Sequence, residues 1–340
     1  MVERKRLRQA PQSAGGLYFP NSKKDVRFIP SGCTVLDCVL GGGWARGRIA
    51  NIVGDKSVGK SLCAIEACAN FARLEKKGQI FYRESEAAFD ISYAEALGLP
   101  TKRVDFGPDG IDSQWDTVEE VWQDLQDTLS DLAKAKAPGL YIVDSLDALS
   151  SRAEMERTFG TPTFGGEKAK MMGEGFRKLV RQVRQADLAL IFISQIRDKI
   201  GIVFGEKHTR TGGKALDFYA SQIVWLTHLK TLTQTHGGVK RPTAVRIKAK
   251  CKKNKVGVAL RECEFILRFG FGIEDVISSL DWLEQDAKAL RGKELDELRD
   301  NALRLDGKGL VELEAYIRDK VLTTWDEVES RFVPKRRKYG

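Results

Sequence analysis

Gly54-Asp55-Lys56-Ser57-Val58-Gly59-Lys60-Ser61 follows directly on Ile49-Ala50-Asn51-Ile52-Val53, and the reading of this junction decides the fold. The octet has the spacing G-x-x-x-x-G-K-[ST] of a phosphate-binding loop, and the apolar run before it reads as a buried strand. Glycines let the loop curl until successive backbone N–H groups face inward, where they cradle phosphate oxygens. Lys60 would place a point charge at the β and γ oxygens, and the Ser61 hydroxyl would ligate Mg²⁺. Beyond the loop, Leu62, Ile65, Cys68, Ala69 and Ala72 recur at helical spacing. Strand, loop and helix thus come in the order that a phosphate site at a helix N-terminus needs. The nucleotide-contacting stretch is Gly54 through Ser61 (Gly54, Asp55, Lys56, Ser57, Val58, Gly59, Lys60, Ser61) with Leu62 beside it.

Working outward, short β-rich runs alternate with helical patterns from Ile49 to Phe269. Gln79 to Glu84, Leu140 to Asp144, Leu188 to Ser194, Gln222 to Leu229, Thr243 to Lys250 and Cys263 to Phe269 read as strands. Two apolar helix faces fall between the earlier ones: Trp115, Val118, Val121, Trp122, Leu125, Leu129 and Leu132, then Met172, Phe176, Leu179, Val180 and Val183. This alternation predicts an α/β fold with a mostly parallel central sheet, and the helix-free last three strands predict an antiparallel extension. After Glu274 the pattern becomes charged and helical, with helices expected near 275–290, 294–304, 308–319 and 323–332. The expected organisation is a basic arm over 1–30, a core over 31–273 and a small helical region with a basic tail over 274–340.

The chain's 340 residues, 42% hydrophobic and 30% charged, suffice for a full-sized core. Its charge is uneven. Residues 1–30 carry +5, residues 240–255 carry +8 and residues 331–340 carry +5, so a net charge of +9 leaves the rest at −9. Basic segments on an acidic body point to contact with a polyanion. No apolar run approaches a membrane span, and no apolar stretch follows the basic N-terminus as in a secretory signal, which predicts a cytoplasmic protein with no membrane partner. The six cysteines lack C-x-x-C spacing and read as buried reduced thiols.

Leu140-Tyr141-Ile142-Val143-Asp144 is an apolar strand ending in a carboxylate, a form suited to holding the magnesium ion through water. Gln79-Ile80-Phe81-Tyr82 leads to Arg83-Glu84-Ser85-Glu86, so either Glu84 or Glu86 would stand beside the γ-phosphate as a base for the attacking water. Leu190-Ile191-Phe192-Ile193-Ser194 ends in Gln195, a neutral group able to hydrogen-bond the same phosphate.

From about Val26 to Gly272 the chain resembles the bacterial RecA recombinase family. The resemblance rests on Ile29-Pro30-Ser31-Gly32, Leu36-Asp37 and Gly47-Arg48-Ile49 before the loop, and on Val143-Asp144-Ser145-Leu146-Asp147-Ala148-Leu149 after it. Ile191 through Arg197, Lys199-Ile200-Gly201, Thr211-Gly212-Gly213, Phe218-Tyr219-Ala220-Ser221 and Lys253-Asn254-Lys255 complete it. It implies a RecA-like phosphate-loop core that binds ATP with Mg²⁺, held by Ser61 and Asp144, and hydrolyses ATP in a DNA-dependent way. It places the adenine against Asp90 and Tyr93, makes Glu86 the catalytic carboxylate, and makes Gln195 the γ-phosphate sensor. Lys253 and Lys255 match a pair that reaches the neighbouring subunit's ATP in a family filament.

The same resemblance implies two loops, about 157–166 and 197–213 and read as strand-free, that bind single-stranded DNA. Phe164 and Ile200 would wedge between bases, with Lys170, Arg177, Arg197 and Lys199 on phosphates and Gly212 and Gly213 in the second loop. Aromatic wedges suit sequence-neutral binding, because every base has a face to stack. The implied function is homologous pairing and strand exchange, with duplex DNA and further copies of the chain, in a filament or ring, as partners. The alternative is a RecA-core motor, remodeller or recombination accessory that does not exchange strands. The chain departs from the family pattern in lacking its N-terminal docking helix, in a first DNA loop one residue longer, in Arg83 at a strand end, and in its C-terminal region.

Overall fold

A computed structural model describes residues 26–157, 166–198, 208–210, 213–334 and 336. The described chain enters through β1 (Phe28–Ile29), α1 (Thr34–Leu40) and β2 (Trp44–Ala45), then β3 (Ile49–Gly54) and α2 (Lys60–Leu74). Next come β4 (Gln79–Glu84), α3 (Ile91–Ala96), β5 (Val104–Asp105), α4 (Val118–Ala135), β6 (Gly139–Asp144) and α5 (Arg152–Met155). They are followed by α6 (Glu167–Gln185), β7 (Leu188–Asp198), β8 (His208–Arg210), α7 (Gly213–Tyr219), β9 (Gln222–His236) and β10 (Val239–Asn254). β11 (Glu262–Arg268), β12 (Gly272–Ile273), α8 (Asp275–Gln285), α9 (Lys293–Arg304) and α10 (Gly307–Ser330) complete the described elements.

The main sheet has the order β12-β11-β10-β9-β3-β7-β6-β4-β5. β9, β3, β7, β6, β4 and β5 run parallel, and β10, β11 and β12 add on antiparallel. Alternation along the strands builds a core on each face of the sheet. Ala50, Ile52, Ile80, Tyr82, Ile191 and Ile193 point to the layer of α1, α2 and α8 to α10, whereas Ile49, Val53, Phe81, Tyr141, Leu190 and Phe192 point to α4 and α6. The expected α/β fold with an antiparallel extension is what forms.

Three expectations are corrected. The strands read as Gln222 to Leu229 and Thr243 to Lys250 continue outward as a ribbon that turns at Gly237-Gly238, both with positive φ. Its outer residues are mostly polar and exposed, so backbone pairing rather than burial carries it, and hydrophobic periodicity could not mark it. The helices expected at 308–319 and 323–332 are the single helix α10, because Leu313, Ile317, Val321 and Trp325 hold one buried stripe with no Gly or Pro between them. The segment 197–213 is not strand-free, since β8 pairs antiparallel with the end of β7. Helices α8 to α10 share one hydrophobic cluster with α1 and β11, with Leu280, Trp282, Ile317 and Trp325 among its members. All six cysteines are buried free thiols.

Asp37 on α1 lies inside this junction, where its Oδ1 accepts the Ser31 N–H at 2.7 Å. Burial pushes its carboxyl up to about 7, against the Ser31 hydrogen bonds and Arg318, with Asp275 adding to the rise. The native state therefore holds a proton that the unfolded chain releases near 3.8, and the stability this supplies below pH 4 is lost as pH rises through 7. Asn keeps the acceptor oxygen without titrating. The Tm advantage of Asp37→Asn over the parent is expected to grow between pH 5 and pH 8; a difference independent of pH would contradict this.

Candidate nucleotide site

The phosphate loop takes its shape from two close approaches. A side chain at Gly59, where φ is +83°, would meet Leu267 Cδ1 at 2.2 Å, and one at Gly54 would meet Val58 Cγ2 at 2.6 Å. Gly59 caps α2, so the free N–H groups of the helix's first turn open onto the loop. Lys60 is buried, and its Nζ donates to the Asp55 carbonyl at 2.6 Å. Burial lowers its pKa, while Asp144, Glu86, Asp55 and Asp147 draw on its charge.

Register sets the rest of the site in a row. Gly54 pairs with Gln195 across β3 and β7, and Glu84 pairs with Asp144 across β4 and β6, all at the C-terminal edge of the parallel strands where ligands of open α/β sheets bind. Asp144 accepts the Tyr82 hydroxyl at 2.7 Å. Its burial raises the carboxyl pKa, opposed by the Tyr82 bond, by the nearby Ser61 hydroxyl and by Lys60, with Glu86 adding to the rise. The Asp144–Ser145 peptide is cis. Glu86 Oε1 accepts from Ser145 Oγ at 2.5 Å and from Gln195 Nε2 at 3.0 Å. The Gln195 N–H in turn donates to Asp147 Oδ2 at 2.6 Å.

Lys60, Ser61, Glu86, Asp144 and Gln195 thus lie together at this edge of the sheet. Tyr82, Ser145 and Asp147 join them and had been assigned no role. Asp147 was legible only as part of the string Val143 to Leu149, and Tyr82 as one more aromatic in a strand. Asp90 caps α3 by accepting the Tyr93 N–H at 2.9 Å, and Tyr93 lies half-buried one turn on. The turn from β11 to β12 borders this region: a side chain at Gly272 would meet Glu66 Oε1 at 2.6 Å and Leu97 Cδ2 at 2.8 Å. It carries two exposed aromatics, Phe269 and Phe271, that sequence reading passed over as a strand end.

Arg83, the unexpected charge, is buried and paired. Its Nε donates to Asp124 Oδ2 at 2.8 Å and its Nη1 to the Asp105 carbonyl at 2.6 Å, with the guanidinium over the rings of Phe81, Trp115 and Tyr141. Burial works against the charge, but Asp124, Tyr141 and Asp105 more than offset it and raise the pKa. It ties β4 to α4 on the sheet face away from α2.

Lys253 and Lys255 do not join the site. Lys253 pairs with Ile223, whereas Gly54 pairs with Leu226, so Lys253 sits about 10 Å back along the strands from the loop. Lys253 Nζ donates to the Phe218 carbonyl at 3.0 Å and to the Asp217 carbonyl, and Lys255 Nζ to the Phe218 carbonyl at 3.2 Å. Phe218 itself is 69% exposed. Among the residues read as DNA-binding, Lys170 and Arg177 are exposed on α6, with Arg177 Nε donating to the Gly173 carbonyl at 3.2 Å. Arg197 lies on β7 and Gly213 opens α7. Phe164, Lys199, Ile200 and Gly212 lie outside the described residues.

A parallel sheet with a phosphate loop at its central strand, a strand-end aspartate and a carboxylate–amide pair along the same edge defines a RecA-like phosphate-loop core. The chain belongs to the RecA family: the profile of the RecA N-terminal domain matches residues 17–274. Protein RecA of Prochlorococcus marinus strain MIT 9303 is 31% identical over 321 residues, which cover 90% of this chain and 79% of that protein. For strain MIT 9215 the identity is 32% over 326 residues, 91% of this chain and 83% of its relative. Protein RecA of Streptomyces ambofaciens is 35% identical over 253 residues, 74% of this chain and 63% of that protein.

Proposed function

We infer that this protein is an ATP-dependent recombinase that binds single-stranded DNA, hydrolyses ATP upon it, and pairs and exchanges strands with homologous duplex DNA. The observation that carries the reading is the hydrogen bond from Gln195 to Glu86, made by a strand that runs on from Gln195 into the segment assigned to DNA. A change at the γ-phosphate would move Gln195 and so reach that segment, and DNA there would act back on the carboxylate.

The residues fit the nucleotide. Gly54 to Ser61 and Leu62 would hold the phosphates of ATP, Lys60 would neutralise the β and γ oxygens, and Asp90, Tyr93 and the Phe269–Phe271 turn would receive the base. Ser61 and Asp144, near enough for the hydroxyl to lower the Asp144 pKa, offer the oxygen ligands that Mg²⁺ prefers beside a triphosphate. The bound ion would offset charge on the transferring phosphoryl group. Glu86 orients the attacking water and accepts its proton, Gln195 holds Glu86 in place, and Lys253 and Lys255 act on the ATP of a neighbouring copy. Lys170, Arg177, Arg197, Lys199, Phe164, Ile200, Gly212 and Gly213 would contact DNA. The core over 31–273 would do this chemistry with a basic arm before it and the helices after 274 docked upon it, as a filament or ring in the cytoplasm. Among the described residues, no helix is long and apolar enough to cross a membrane.

ATP turnover with and without single-stranded DNA tests the reading, together with joint-molecule formation from a homologous duplex. Stimulated turnover with ATP-dependent joint molecules is expected. Stimulated turnover without joint molecules would place the chain among RecA-core motors or accessories, and turnover indifferent to DNA would sink both readings.

A further inference from the structure

Glu84 ends the strand that leads to Glu86, yet its carboxylate is committed elsewhere. Its Oε1 accepts the Glu86 N–H at 2.9 Å, and the N–H groups of Ala87 and Ala88 also favour its charged form. The middle residue, Ala87, has φ +53°, in the left-handed region that residues with a Cβ seldom occupy unless the surroundings hold them there. On the other side, the Ser85 N–H donates to the Asp144 carbonyl at 2.8 Å and Ser85 Oγ to the Ser145 carbonyl at 2.8 Å, which fixes the base of the turn but not its tip. Glu86 leaves this tip to meet Ser145 and Gln195.

We propose that Glu84 is the positioning residue for Glu86: by holding the Glu86 N–H it fixes the left-handed turn at Ala87 and so aims the Glu86 carboxylate between Ser145 and Gln195. The proposal rests on the reading of Glu86 as the hydrolytic base. It separates two carboxylates that stand two residues apart, giving the reacting group to one and the scaffold to the other. Burial, with Asp144 adding, raises the Glu84 pKa on balance, and the N–H groups of residues 86–88 oppose that rise.

The test measures kcat and KM for ATP on single-stranded DNA, with Tm and nucleotide affinity as controls. Glu84→Ala is expected to lower kcat roughly 10- to 100-fold with KM within about twofold, because a small displacement of a catalytic group is costly while ground-state binding is untouched. Glu84→Gln keeps an oxygen for the Glu86 N–H and should lose less than about tenfold. Ala87→Val leaves both carboxylates intact but resists the left-handed turn, and is expected to show the same loss in kcat alone; it also decides the matter should Glu84→Ala not fold. Parental kcat in Glu84→Ala and Ala87→Val, or a rise in KM at constant kcat, would overturn the proposal. So would Glu84→Gln as inactive as Glu86→Gln, since Glu84 would then be the reacting group. A parent protein that does not hydrolyse ATP would defeat the reading of Glu86 instead.

Discussion

Glu86→Gln is expected to lower ATP turnover by about 10²- to 10⁴-fold while nucleotide affinity stays within a few fold. The substitution is isosteric, and the amide oxygen can still accept the Ser145 hydroxyl that Glu86 Oε1 accepts at 2.5 Å. What it removes is the capacity to take a proton from water. Lys60, Ser61 and Asp144 are unchanged, so the groups that hold triphosphate and ion remain. Single-turnover hydrolysis beside equilibrium nucleotide binding separates the two effects. Turnover near the parental rate would mean that Glu86 is not the base. Weakened binding in step with the rate would mean that it holds the nucleotide.

Replacing Lys253 and Lys255 together by alanine is expected to cost about 10³-fold or more in DNA-stimulated turnover, the scale of a cation supplied in trans at phosphoryl transfer. Geometry makes their own loop unreachable in this fold. The Lys255 N–H donates to the Ser221 carbonyl at 2.8 Å, which sets it about 16 Å along the strand from the level of Gly54 and Leu226. Both ammonium groups lie instead on carbonyls at the end of α7 next to exposed Phe218. The residual DNA-independent rate should be that of the parent, because nothing in cis has changed. A double variant that keeps DNA stimulation would assign these lysines to an exposed strand end and nothing more.

Much of this was readable in advance, for reasons particular residues make plain. The loop, its strand and its helix announce themselves through local spacing, and β4 has the predicted bounds Gln79–Glu84 because apolar run and polar ends coincide. Where burial stops, legibility stops. Thr231, Thr233 and Gln234 are strand residues in a ribbon with no core beneath it, so no period marks them. The site divides in the same way. Lys60 and Asp144 follow from motif positions, but the Tyr82 hydroxyl on Asp144 joins residues 62 apart in sequence, and the Gln195 amide on Glu86 joins residues 109 apart. Arg83 seemed misplaced at a strand end because Asp124, Asp105, Trp115 and Tyr141 reach it from elsewhere in the chain. Choosing Glu86 over Glu84 needed the family resemblance; the Glu86 N–H bound by the Glu84 carboxylate supplies an independent physical reason.

On the proposed function each ATP is handled by two copies of the chain, with Glu86 from one and Lys253 and Lys255 from the next. Mixing the Glu86→Gln protein with the Lys253→Ala/Lys255→Ala protein on single-stranded DNA tests this. Each alone should be nearly inactive. In an equimolar mixture about one junction in four brings an intact Glu86 against intact lysines, so turnover should recover to about a quarter of the parental rate. A mixture no more active than its components would contradict the shared site.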